Sequence, residues 1–132
     1  MSPVIDVYRY PGAKVTPEFL QSLEAEGILF DSRGRWLTIR AKGLKCKPIY
    51  ATRLIRVSRG RLIIAKNRLV AIVRSRKVID IPRDHPLFKN LTFDKSNPKR
   101  YTISLDLSQF PGKMTGWISY SYHIDPSTPG LP

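Results

Sequence analysis

Two neighbouring segments, "RLIIA" at 61–65 and "LVAIV" at 69–73, are apolar at nearly every position yet sit in a run of arginines. A strand with one wet face alternates apolar and polar residues. An unbroken apolar run belongs to a strand covered on both sides. The density of Ile and Val, with turn residues between the runs, favours strands over one buried helix. Any fold for this chain must therefore cover both faces of part of a sheet.

One covering element is legible. In "VTPEFLQSLEAEGI" Thr16 is a good N-cap, Pro17 suits the first helical position and Glu18 lies where the helix dipole favours negative charge. Phe19, Leu20 and Leu23 form an apolar stripe, and Gly27 supplies the stop. So short a helix is marginal alone and must pack on something. Its other face carries Glu18, Glu24 and Glu26, which repel phosphate, so it reads as a core element and not a recognition helix.

The remainder reads as strands. "VIDVYRY" (4–10) ends at a Pro-Gly turn, and "ILFD" and "RWLTIRAK" flank "SRG" (32–34) as a hairpin. "GLKCKP" is a loop or bent strand start. A meander follows: "IYATRLIRV", a turn at "SRG" (58–60), "RLIIAK", "RLVAIV", a turn at "RSRK" (74–77), and "VIDIP". After the long polar connection "PRDHPLFKNLTFDKSNPKR" come two alternating strands, "YTISLDL" and "GWISYSYHI". The expected fold class is α+β: a curved antiparallel β-sheet meander with one short N-terminal helix packed on it, with a partly open small β-barrel as the alternative. Residues 1–124 are expected to form a single domain, and 125–132 a Pro-rich C-terminal tail that is ordered only if it docks against a neighbour. A homodimer packed sheet on sheet is another way to cover the second face.

Charge narrows the function. The chain carries 23 Lys and Arg against 10 Asp and Glu, a net charge of +13. Small soluble domains typically need a magnitude of only about 2–8. Between Asp31 and Asp80 there is no acid, while fifteen of the basic residues fall in that interval. In a meander, successive turns alternate between the ends of the sheet. The turns near 58–60 and 74–77 then share an end, which collects Arg56, Arg59, Arg61, Arg74, Arg76 and Lys77. Charges at strand ends also keep a sheet soluble and protect its edges, but glutamate would serve that purpose equally well. Uniform positive sign points to a polyanion, and arginine forks suit phosphate.

A weaker second group is Arg40 with Trp36. Trp36 shares a strand face with Thr38, Arg40 and Lys42, and Trp117 shares one with Ser119, Ser121 and His123. If those two strands are neighbours, the combined face is a stacking platform for unpaired bases. Otherwise each tryptophan closes the rim of a core or packs in a dimer interface.

Catalytic chemistry is not written in the sequence. The two histidines, His85 and His123, have no serine in a nucleophile-elbow pattern, and no Glu follows Glu26 to build a carboxylate cluster. "SRG" and "PGAK" lack the spacing of phosphate-binding glycine loops. No metal or cofactor motif is legible. The single cysteine, Cys46, excludes an intrachain disulfide and reads as a small strand hydrophobe. No membrane-length apolar run or secretory signal is present, so a cytoplasmic protein is the expectation. The expected function is non-catalytic binding of a polyanion, most plausibly RNA or DNA, through Arg56, Arg59, Arg61, Arg74, Arg76, Lys77, Arg40 and Trp36. The alternative is a structural or protein-interaction module, homodimeric through its sheet, that binds an acidic protein partner.

Overall fold

The computed structural model describes residues 14–46, 49–110 and 114–132; the strand expected at 4–10 and the side chain of Cys46 lie outside the described residues. Among the described residues one α-helix, α1 (Pro17–Glu26), precedes eight antiparallel strands: β1 (Ile28–Asp31), β2 (Arg35–Cys46), β3 (Ile49–Ala65), β4 (Arg68–Val73), β5 (Arg76–Pro82), β6 (Thr92–Asp94), β7 (Tyr101–Asp106) and β8 (Thr115–Tyr122). They form one sheet in the order β5-β4-β3-β2-β8-β7-β6, with β1 paired to β3 beside that path. The sheet curls into a half-barrel, so the α+β curved-sheet expectation holds.

Alternation along the strands builds the inner core. Leu37, Ile39 and Ala41 of β2, Leu62 and Ile64 of β3, Leu69 and Ala71 of β4, Ile79 and Ile81 of β5, Tyr101, Ile103 and Leu105 of β7, and Ile118, Tyr120 and Tyr122 of β8 form one buried cluster. The Tyr122 hydroxyl donates across this interior to the carbonyl of Ile72, 3.1 Å away, and so joins β8 to β4.

Helix α1 starts as its sequence predicts, with Thr16 Oγ1 accepting from the Phe19 amide at 3.2 Å. It seats Leu23, Phe19 and Leu20 on Ile63, Ala65, Val70 and Ile72, the residues that point outward from β3 and β4. This is why "RLIIA" and "LVAIV" are apolar throughout: the barrel core lies on one side and α1 on the other. Covering one half of the outer face is enough, because only these strands demand it.

Several local expectations are corrected. Residues 58–60 are not a turn; β3 runs unbroken through them. A Cβ on Gly60 would collide with the carbonyl oxygen of Ile72 and lie 2.6 Å from Leu37 Cδ2, so this glycine lets β3 press against β4 where the sheet curls. Gly60→Ala is accordingly expected to cost about 1–3 kcal/mol of stability by overpacking, read from a denaturant midpoint. "ILFD" does not form a hairpin with β2: β1 pairs with Ile63–Ala65 of β3, in line with β2, which pairs with Ile49–Gly60. "GLKC" continues β2, and Gly43, at φ +58°, shifts its alternation by one. The polar connection holds a short 3₁₀ turn at Pro86–Asn90 and the strand β6. The C-terminal tail docks on its own domain, where the Tyr101 hydroxyl donates to the Pro132 carbonyl at 3.0 Å and Leu131 packs on the core.

Candidate nucleic-acid interface

The half of the outer face that α1 leaves open spans β3, β2, β8 and β7. Its side chains follow from register. Arg59 pairs with Trp36, Val57 with Thr38, Ile55 with Arg40 and Arg53 with Lys42. Across the next ladder Thr38 pairs with Ser121, Arg40 with Ser119 and Lys42 with Trp117. Beyond them Ser121 pairs with Thr102, Ser119 with Ser104 and Trp117 with Asp106. The two tryptophan-bearing strands are therefore neighbours, the condition under which their faces combine.

This surface has walls and a floor. Trp36 and Trp117 are 50% and 38% exposed, whereas Thr38, Ser119 and Ser121 between them are buried although they point outward. Small residues lie low among long ones. Arg59 stacks its guanidinium 4.9 Å above the Trp36 ring, which fixes both groups. On β3, Ile55 and Val57 are exposed beside these cations. Tyr50 is exposed as well, and it faces the same way because its neighbour Ala51 packs inward. The hydroxyl of Thr102 bonds that of Ser121 at 2.7 Å, and Thr38 Oγ1 lies 3.1 Å from His123 Nε2. Burial, and then the positive charge of Arg100, hold the His123 pKa below its ordinary value.

The rim expected from the turns divides differently. Arg59 lies on the open outer face, paired across the ladder with Trp36. Arg74 sits in the β4–β5 turn at φ +58°, with its Nε 3.3 Å from Ser58 Oγ, and its amide donates to the Arg59 carbonyl. Arg76 opens β5 beside that turn and is exposed. Arg56, also exposed, pairs with Ile39 and so points to the inner side of the sheet. Arg61 and Lys77 are held in internal ion pairs. Arg61 Nε donates to Asp31 Oδ1 at 2.8 Å, tying β3 to β1. Burial raises the Asp31 pKa, but the bonds from Arg61 and the Arg33 amide outweigh it and leave the carboxyl below its usual value. Lys77 Nζ donates to Asp80 Oδ2 at 3.1 Å and lies 4.2 Å from the Phe19 ring, under α1.

The structure thus brings Arg40, Arg59 and Trp36 together on one face. It adds Lys42, Arg53, Tyr50 and Trp117, which the sequence-based site set lacked. Strand alternation already carried the signal for Lys42 and Trp117. Arg53 and Tyr50 depended on knowing that β3 is one long strand along β2.

Both histidines serve local structure. His85 Nδ1 accepts from the Leu87 amide at 3.1 Å and caps the 3₁₀ turn, while His123 contacts Thr38. Among the described residues there is no cluster of His, Cys, Asp or Glu suited to a metal, and no helix long and apolar enough to cross a membrane. Comparison with protein-family models, curated proteins and solved structures found no match to this chain.

Proposed function

We propose that this protein binds nucleic acid without catalysis, through the open outer face of β3, β2 and β8. Arg40, Lys42, Arg53 and Arg59 contact phosphate, and Arg74 and Arg76 extend the positive field from the adjoining turn. One observation carries this reading: the chain's two tryptophans and four cations share the half of the sheet face that α1 leaves uncovered. Helix α1 keeps its acids away from this surface. The net charge of +13 supplies long-range attraction to a polyanion.

Binding measured against salt tests the proposal. Four phosphate contacts imply a log–log slope of roughly −3, or about a fiftyfold loss of affinity between 50 and 200 mM salt. A flat salt response, or no binding to any DNA or RNA at low salt, would remove the function.

A protein-interaction module is the second reading, favoured by β3 itself. Between 49 and 58 its edge opposite β2 has no strand partner among the described residues, and Tyr50, Ile55 and Val57 lie exposed along it. An acidic polypeptide adding as a strand there would use the same arginines. Sedimentation separates the readings: self-association, or complex formation with acidic protein but not with nucleic acid, selects this one.

A further inference from the structure

Resting on the nucleic-acid reading above, we infer that the occupant of this face is single-stranded, with unpaired bases stacked on Trp36 and Trp117. A flexible phosphodiester chain with free bases is the shared chemistry, whether its sugar is ribose or deoxyribose.

Three features of the face select it. First, an exposed indole gains from nucleic acid by covering the flat side of a base, and in a duplex those sides are already stacked on their neighbours. Trp36 pairs with the start of the β8 ladder's extension at His123, whose amide donates to the Trp36 carbonyl, while Trp117 pairs with Lys42. Six residues of strand separate the two positions, about 20 Å. A chain must run along the strands to touch both.

Second, the space between the rings is a shallow trough, and nothing on it projects as a groove-entering helix or ribbon would. Its floor is Thr38, Ser119 and Ser121 with Ser104 beside them. Of these, Ser104 is half-buried, not fully covered, so its hydroxyl is the floor group placed to meet base edges or sugar.

Third, the cations of this face lie to one side of it. They occupy β3 and β2, whereas hydroxyls occupy β8 and β7, and the far side is mixed, with Asp106 opposite Trp117, Asp94 opposite Thr102 and the positive charge of Arg100 acting on His123. A single strand has one row of phosphates, which lies along Arg40, Lys42, Arg53 and Arg59 while its bases reach over the hydroxyls. A duplex has two rows, and the second would lie off this run of cations.

The chain's fluorescence reports this site directly, because Trp36 and Trp117 are its only tryptophans. Titration with a short oligothymidylate and a short oligouridylate is expected to quench the emission, and whichever binds more tightly identifies the preferred sugar. A duplex of equal length is expected to bind at least about tenfold more weakly. Trp36→Leu and Trp117→Leu should each weaken single-strand binding about tenfold with the salt slope unchanged, and the Phe variants should restore most of it. Equal binding of the duplex, or Leu variants that bind like the unaltered protein, would overturn the inference. If binding then stays steeply salt-dependent, the nucleic-acid reading stands without it. If neither strand nor duplex binds at low salt, both fall together.

Discussion

Glutamate at positions 40, 42, 53 and 59 together is expected to weaken nucleic-acid binding by at least about 100-fold at moderate salt and to flatten the salt dependence that remains. Each change removes one attraction to phosphate and introduces one repulsion. Arg40, Lys42, Arg53 and Arg59 are all exposed, and the contact one of them makes to a neighbouring strand is the Arg59 stack on Trp36, so folding should survive. Exposed substitutions of this kind usually alter stability by under about 0.5 kcal/mol each. The one local loss is the Arg59 guanidinium over Trp36, worth roughly 0.5–1 kcal/mol at an exposed site. Paired filter-binding and thermal-melting measurements check both halves. Full affinity in the fourfold variant would place the interface elsewhere, and a lost melting transition would mean that these residues hold the fold.

Asp80→Ala is expected to do the reverse, costing about 3–5 kcal/mol of stability while leaving the binding face chemically intact. Asp80 is 2% exposed, on the outward side of β5 under α1. Its Oδ2 accepts from Lys77, and its Oδ1 lies 3.4 Å from Arg68 Nε without a well-formed hydrogen bond. Removing the carboxylate takes away the acid that Arg68 and Lys77 share beneath α1, where Lys77 Nζ lies 4.2 Å from the Phe19 ring. Breaking an ion pair whose carboxylate is almost fully buried is what makes the loss large, even though Arg68 keeps Glu26 3.9 Å away. Urea unfolding measures it, and a change under about 1 kcal/mol would show that the pair is solvated. Lys77 therefore reads as a support for the helix, in contrast to Arg59.

How much of this was legible depended on the range over which each signal acts. The α1 signals are local: a cap, a proline, a stripe and a stop within a dozen residues. The doubly covered strands were legible because burial on two faces leaves no polar position in "LVAIV". Alternation placed Trp36 and Arg40 on one side, and Trp117 on the polar side of its strand, with no knowledge of pairing. What failed was non-local. "SRG" at 58–60 has the composition of a turn, and only the Ile72 carbonyl pressed against Gly60 explains a glycine there in a continuous strand. The rim that gathered Arg61 and Lys77 rested on that turn. Arg61 is claimed by Asp31 on β1, which spacing along the chain does not reveal. Lys77 is claimed by Asp80, three residues along its own strand β5, a capture that becomes visible once the strand and its cover by α1 are known.

Strand β3 has two employments, and they share one alternation. From Leu54 to Ala65 every second residue points outward without interruption, so the seating of Ile63 and Ala65 beneath α1 decides that Ile55, Val57 and Arg59 also face out. A slip of one residue would bury arginine and expose leucine along the whole length. The helix touches nothing on the open face, yet it acts as that face's register lock. Loosening α1 would thus scramble a surface that begins two turns of pleat away.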